Sequence, residues 1–166
     1  MVIPETRLQT GRLMLEPLGA EHAAPLFSIL WDVDVRRWIS DPAVRTVDAL
    51  AARWGNRPAG SLGWAVREGE TWVGKLDAEV EGRVATNVGY QFAPAAWGRG
   101  IGTEAVGAMV THLERAGVVE LRATVTVGNV ASARLLERLG FERRGVLVAN
   151  DVIRGVPHDD WLYVRG

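Results

Sequence analysis

The 166-residue chain contains no cysteine, which excludes disulfides, thiolate-bound zinc and a thiolate nucleophile. It also lacks a dominant charge. Nineteen Lys and Arg stand against 20 Asp and Glu for a net charge of −1, and the arginines are spread along the sequence, so no nucleic-acid partner is expected. Lysine is nearly absent: Lys75 alone breaks an all-arginine set of cations, which reads as compositional bias rather than chemistry. No apolar run approaches the roughly 18 residues that would cross a bilayer, so no membrane association is expected either. The opening Met1-Val2-Ile3-Pro4-Glu5 lacks the basic-then-apolar order of a secretion signal, and the expected location is cytoplasmic. Internal repeats and low-complexity segments are missing too. What remains, 48% hydrophobic and 23% charged residues, suits one globular domain over residues 1–166.

Glycine, by contrast, is concentrated where it can do chemistry. Gly98, Gly100 and Gly102 stand at alternate positions between a short apolar strand and an amphipathic helix. Without a Cβ they can turn consecutive N–H groups toward one point, and the helix adds its unpaired N–H groups and partial positive charge. A phosphate ester is the natural guest. The nucleoside-triphosphate loop is excluded, because Arg99 is followed by Gly100, Ile101 and Gly102 with no lysine or magnesium-binding hydroxyl in register. A dinucleotide fingerprint would need glycine where Thr103 stands, although Glu120 lies where a ribose-binding acid could sit, so an oxidoreductase stays open from this loop alone.

A β-branched run, Val118 to Val127, then leads into Gly128, Asn129 and Ser132, and a second helix closes with Gly140-Phe141. The pairing of this segment with the glycine loop resembles the GNAT N-acetyltransferase superfamily from about residue 7 to the C-terminus. Trp97 stands where Gln or Arg is usual, and Trp97-Gly98-Arg99-Gly100 followed by Thr103-Glu104-Ala105 resembles the RimJ/RimL-type branch, the ribosomal-protein N-terminal acetyltransferases and their relatives. The opening, Thr10 to Leu18 and then a helix, is similar to that branch as well.

The resemblance implies an α/β fold of α+β type. Its mixed, mostly antiparallel sheet would have six to seven strands flanked by about four helices, with the strands on either side of the glycine-loop helix splayed into a cofactor cleft. It implies acetyl-coenzyme A as co-substrate and no metal. The implied contacts are Gln91, Phe92, Trp97, Gly98, Arg99, Gly100, Ile101, Gly102, Thr103, Asn129 and Ser132, with a backbone N–H near Gln91 or Phe92 polarising the thioester. The implied partner is an amine acceptor, either a protein N-terminus or a small molecule, and a homodimer is possible. Transfer of a longer acyl group such as succinyl, or a catalytically silent acyl-coenzyme A-binding module, remain alternatives.

Periodicity orders the elements. Strands are expected at Arg12–Leu18, Leu62–Arg67, Thr71–Glu81, Thr86–Phe92 and Val119–Val127, the last parallel to the one before it. Helices are expected at Ala20–Leu30, Asp32–Ile39, Val47–Trp54 with Thr46 as N-cap, from the glycine loop to Arg115, and at Val130–Leu139. The tail, Phe141–Ala149 and Pro157–Val164, reads as a closing hairpin with a long connection.

For catalysis, many relatives place a tyrosine seven residues after the helix-opening asparagine, and that position is Leu136. Ser132, where the RimJ/RimL-type branch has serine, is then the candidate proton donor; alternatively its hydroxyl caps the helix by bonding a backbone N–H. Asn129 is a helix cap by residue preference, a pantetheine contact, or both. The acidic position before Val88 is filled by Asn87, so no general base is assigned. Asp77 and Glu79 share one face of their strand with Lys75 and Glu81, either as a solvated face or lining the acceptor cleft. His158, Asp159 and Asp160 form a second candidate group. Trp31, Trp38 and Trp54 are either core or an aromatic wall for the acceptor.

Overall fold

A computed structural model describes residues 2–166. Eight strands form one sheet: β1 (Leu8–Gln9), β2 (Met14–Pro17), β3 (Ser61–Glu68), β4 (Thr71–Glu81), β5 (Val84–Phe92), β6 (Glu120–Thr126), β7 (Glu142–Ile153) and β8 (Val156–Arg165). Their spatial order is β1-β2-β3-β4-β5-β6-β8-β7, antiparallel throughout except for β5 beside β6. Five α-helices accompany the sheet: α1 (Ala23–Leu30), α2 (Val33–Arg36), α3 (Val47–Gly55), α4 (Ile101–Arg115) and α5 (Val130–Arg138). The expected α/β class is what is found among the described residues: the short β1 is one strand more than expected, and the five helices are those periodicity predicts, against the about four that the resemblance implies.

Local chemistry sets the boundaries. Thr46 Oγ1 accepts from Ala49 N at 3.1 Å, as its N-cap position predicts, and Asp32 Oδ1 starts α2 by accepting from Asp34 N at 2.9 Å. The expected helix at Ala20 begins as a 3-10 turn over Ala20–His22 before α1. The long connection expected in the tail is replaced by a two-residue turn. Arg154 and Gly155 both take positive φ, 47° and 81°, so the turn matches the twist of its flanking strands and Ile153 pairs directly with Val156. A bulge between Leu147 and Asp151, with Ala149 at φ 50°, absorbs the excess length of β7.

Each face of the sheet has its own core. On one, Ala105, Val106, Met109, Val110 and Leu113 of α4 and Ala133 and Leu136 of α5 pack against Trp64, Leu76, Leu121 and Tyr163. On the other, Leu26, Leu30, Leu50 and Trp54 of α1 and α3 pack against Leu18 and Ala65. Helical and strand periods put these residues on single faces, and burial of that apolar area is what holds the layers together.

Candidate active site

The two strands flanking α4 are joined only at their beginnings. Val84 pairs with Glu120 and Ala85 with Leu121, and no further pairs follow. Just past that point an irregularity between Glu79 and Val80 offsets β4 from β5 around Thr86, while β4 keeps hold of β5 as far as Phe92. On the other side β8 holds β6 from Leu121 to Thr126. Each strand is fixed on its outer side, so the gap between them is built into the sheet.

Strand alternation assigns the walls of this gap. Val88 and Phe92 are buried in the α4/α5 core and Tyr90 packs against it, so Asn87, Gly89 and Gln91 face the other side. Along β6, Leu121, Ala123 and Val125 belong to the same core, leaving Thr124 and Thr126 opposite, and Asp160, the pairing partner of Thr126, shares its face. Residues of both sets line one cavity of about 620 Å³, which therefore passes through the sheet from one face to the other.

Backbone direction alternates in the same way. Ala93 N donates to Val73 O at 2.8 Å, so Gln91, two residues earlier, also turns its polar groups toward β4. Tyr90 and Phe92 turn theirs toward the gap. Of the two residues, Phe92 therefore turns its N–H into the gap and Gln91 turns its own toward β4. The Phe92 carbonyl is held by Trp97 Nε1, which donates to it at 2.9 Å, and Trp97 is otherwise 50% exposed.

At the α4 mouth, the three glycines divide into two kinds. Gly98 and Gly100 have φ of 73° and 75°, a region costly to any other residue. Gly102 has ordinary backbone, but a Cβ there would lie 2.8 Å from Leu135 Cδ1 and 3.4 Å from Phe92, so smallness is what it contributes. The loop is tied down by Arg12, whose Nη2 donates to Arg99 O at 2.5 Å while its Nε donates to Glu104 at 3.0 Å. Glu104 also accepts from the Thr10 hydroxyl. Burial pushes the Glu104 carboxyl up, but the bonds from Thr10 and Arg12 and the guanidinium charge outweigh it and bring the pKa below its ordinary value.

At the centre, the sequence left Ser132 between two roles, and the helix cap is filled by another residue. Asn129 Oδ1 accepts from Ser132 N at 3.4 Å, which makes the asparagine the cap. The Ser132 hydroxyl instead lies 2.5 Å from the Tyr90 hydroxyl, which also reaches the Ser132 carbonyl at 3.3 Å. Burial pushes the Tyr90 phenol up to about 12, against a smaller opposing effect of its bond to Ser132.

Gln91, Phe92, Trp97, Gly98, Gly100, Ile101, Gly102, Thr103, Asn129 and Ser132 all line the cavity. Arg99 does not: its guanidinium bonds both carboxylate oxygens of Glu68, at 2.9 and 3.0 Å. Asp77 and Glu79 are likewise off the wall. Lys75 Nζ donates to Asp77 at 2.8 Å and Ser61 Oγ donates to Glu79 at 3.0 Å, so the strand face they share is internally paired. Of the second candidate group only Asp160 lines the cavity, and of the three tryptophans only Trp38, Trp54 being core.

Sequence reasoning missed Tyr90, Arg134 and Arg138 as wall residues. Tyr90 alternates with Val88 and Phe92, which marked its face but not its partner. Arg134 and Arg138 stand four apart on α5, one helical turn, and bring two cations to the wall. A glycine loop opening a helix on a wall shared with two guanidiniums fits a phosphorylated ligand, and an unpaired strand edge beyond it fits an amide-bearing chain. Among the described residues no group of His, Cys, Asp or Glu could hold a metal ion, and no helix is long and apolar enough to cross a membrane.

The acetyltransferase (GNAT) domain family matches residues 12–142. The uncharacterized N-acetyltransferase YoaA of Bacillus subtilis (strain 168) is 25% identical over 166 residues, covering 94% of this chain and 94% of that protein. Among solved structures, RimL, the ribosomal L7/L12 alpha-N-protein acetyltransferase in complex with coenzyme A, superposes with a TM-score of 0.83 at 19% identity, covering 99% of this chain and 97% of that one. The ribosomal-protein-S5-alanine acetyltransferase from Vibrio fischeri does so with a TM-score of 0.85 at 16% identity, covering 96% of each. At those identities the two structures speak for the fold alone.

Proposed function

The chain belongs to the GNAT acetyltransferase family, and from that premise we propose that it transfers an acetyl group from acetyl-coenzyme A to a primary amine. Transfer is direct, within a ternary complex, and residues 1–166 act as one N-acetyltransferase domain of the RimJ/RimL type. The acceptor is a small-molecule amine or a protein N-terminus. The observation that carries this reading is the gap through the sheet, with a phosphate-fitting loop at one mouth and the Phe92 N–H facing it midway.

Each group then has a task. The loop amides, Arg134 and Arg138 hold the phosphates, and Trp97 fixes the end of β5 through the Phe92 carbonyl. The Phe92 N–H polarises the thioester carbonyl, favouring the oxyanion that forms as nitrogen attacks. The C–N bond forms, the C–S bond breaks, and the electron pair leaves on sulfur. Ser132 meets that sulfur with its hydroxyl. A serine hydroxyl is a far weaker acid than a thiol, so Ser132 cannot remain as the anion and must be refilled as it donates. Tyr90 is the side chain bonded to it and supplies that proton. Burial disfavours the Tyr90 anion, so the phenol passes the proton on without keeping the charge, and the proton shed by the amine closes the balance.

Calorimetric titration with acetyl-coenzyme A, with NAD as control, followed by a free-thiol assay across an amine and peptide panel, tests the reading. Micromolar binding with thiol release on an amine supports it. Binding without release on any acceptor points to a silent acyl-coenzyme A-binding module, and no binding overturns it.

A further inference from the structure

The α2 mouth of the cavity is acidic. Asp34, Asp151 and Asp160 line it, whereas the two arginines on the wall, Arg134 and Arg138, stand on α5. Carboxylates on a surface mark nothing by themselves, and Asp151 is already engaged, accepting from Ser40 Oγ at 2.8 Å. Asp160 is different. It is 3% exposed, and one oxygen accepts from Asn150 Nδ2 at 2.8 Å. Its other oxygen, Oδ1, has no hydrogen-bond partner among the described residues.

The position of Asp160 explains its isolation. It pairs with Thr126 at the end of β6, on the face turned toward α2, where the Thr126 hydroxyl donates to the Trp38 carbonyl at 3.2 Å. Among the described residues no cation is bonded to it, and a buried carboxylate oxygen without a partner is costly to keep. Asp160 lines the cavity although Oδ1 itself is covered, so a ligand completes it once the carboxylate turns toward that space. The ligand is not a metal ion, because the carboxylates do not gather into a metal-holding group among the described residues. An organic cation fits, and Trp38, whose ring already has the Arg37 guanidinium over it at 5.3 Å, lines the same cavity.

We infer that the acceptor is a diamine or polyamine, with Asp160 holding one ammonium group while a different nitrogen of the same molecule attacks the thioester. An ammonium paired with a buried carboxylate is stabilised in its charged form and has no lone pair, so the held nitrogen cannot be the nucleophile. Asp160 is thus a residue that decides specificity and not the general base. The inference rests on the acetyltransferase reading above and names its substrate class.

Butylamine and 1,4-diaminobutane share a carbon chain and differ by one ammonium group, so the full-length protein is assayed with each under saturating acetyl-coenzyme A. The expected kcat/KM for the diamine is higher by about tenfold or more, and Asp160→Asn abolishes that preference by raising KM for the diamine. The variant is expected to keep its acetyl-coenzyme A affinity by calorimetry and to melt no lower than the parent, because it removes an unpaired buried charge. Direct titration of 1,4-diaminobutane into the parent and Asp160→Asn gives a readout independent of turnover, with binding expected only in the parent. Equal kcat/KM for the two amines, or an undiminished preference in Asp160→Asn, overturns the inference and leaves the transferase reading standing. Failure to bind acetyl-coenzyme A at all overturns both.

Discussion

The hydroxyls of Tyr90 and Ser132 meet at 2.5 Å, joining β5 on one side of the gap to the first turn of α5 on the other. In the proposed mechanism the phenol comes from the strand, while the position seven residues after Asn129 is held by Leu136.

Ser132→Ala is expected to lower kcat by about a hundredfold while leaving acetyl-coenzyme A affinity nearly unchanged. Tyr90→Phe is expected to show the same split, and the double variant to be little worse than either, because the two hydroxyls act as one unit. Steady-state kinetics with calorimetry on all three variants checks this. Additive losses would mean that the residues act separately, and equal loss of affinity and turnover would make Ser132 structural.

The Tyr90 phenol is held protonated by burial, up to about 12, so its ionisation should lag behind an ordinary tyrosine. A raised pKa stabilises the fold at pH values below the ordinary value, and that contribution is lost as pH climbs through the folded one. The chain has two tyrosines, so the difference in ultraviolet phenolate absorbance between the parent and Tyr90→Phe isolates this one. A Tyr90 signal that titrates at the ordinary value would show that the fold does not disfavour its anion.

Gly100→Asp should reduce acetyl-coenzyme A affinity by more than about tenfold. At φ 75° any side chain is strained, its Cβ would lie 3.3 Å from Arg12 Nη2, and a carboxylate would face the phosphates. Gly100→Ala carries the strain without the charge and separates the two causes. Calorimetry decides, and an affinity within twofold of the parent for Gly100→Asp would put the phosphate seat elsewhere.

Acid should loosen the loop through Glu104. Its pKa is lowered in the fold, so the stability it contributes is fully present above the ordinary value of 4.5 and is lost as pH falls through the lower folded value. Thermal melts between about pH 6 and about pH 3 should show the parent losing more stability than Glu104→Gln, the two curves converging at the acid end. Parallel curves would show that the Arg12–Glu104 clamp carries no pH dependence.

Much of this architecture is legible locally. Thr46 caps α3 because its hydroxyl needs only the N–H three residues on, and the apolar stripe of α4 follows from helical period alone. The glycine loop was readable because positive φ is a property of the residue at that position. The turn at Arg154-Gly155 was not, since an arginine gives little sign of accepting φ 47°.

The sequence by itself determined the family, the place of the glycine loop and the face of each strand, because its motifs, turns and alternation are each read from neighbours within a few positions. Only the tertiary structure decided which side chains reach the gap. Arg99 is taken by Glu68 on β3, Asp77 by Lys75, and the Asn129 amide, not the Ser132 hydroxyl, caps α5. Asp160 gained its role in the same way, through the register of β8 against β6 and a partner that covers one oxygen and leaves the other. A side chain's task is set by what competes for it in space, and that competition is settled between residues tens of positions apart.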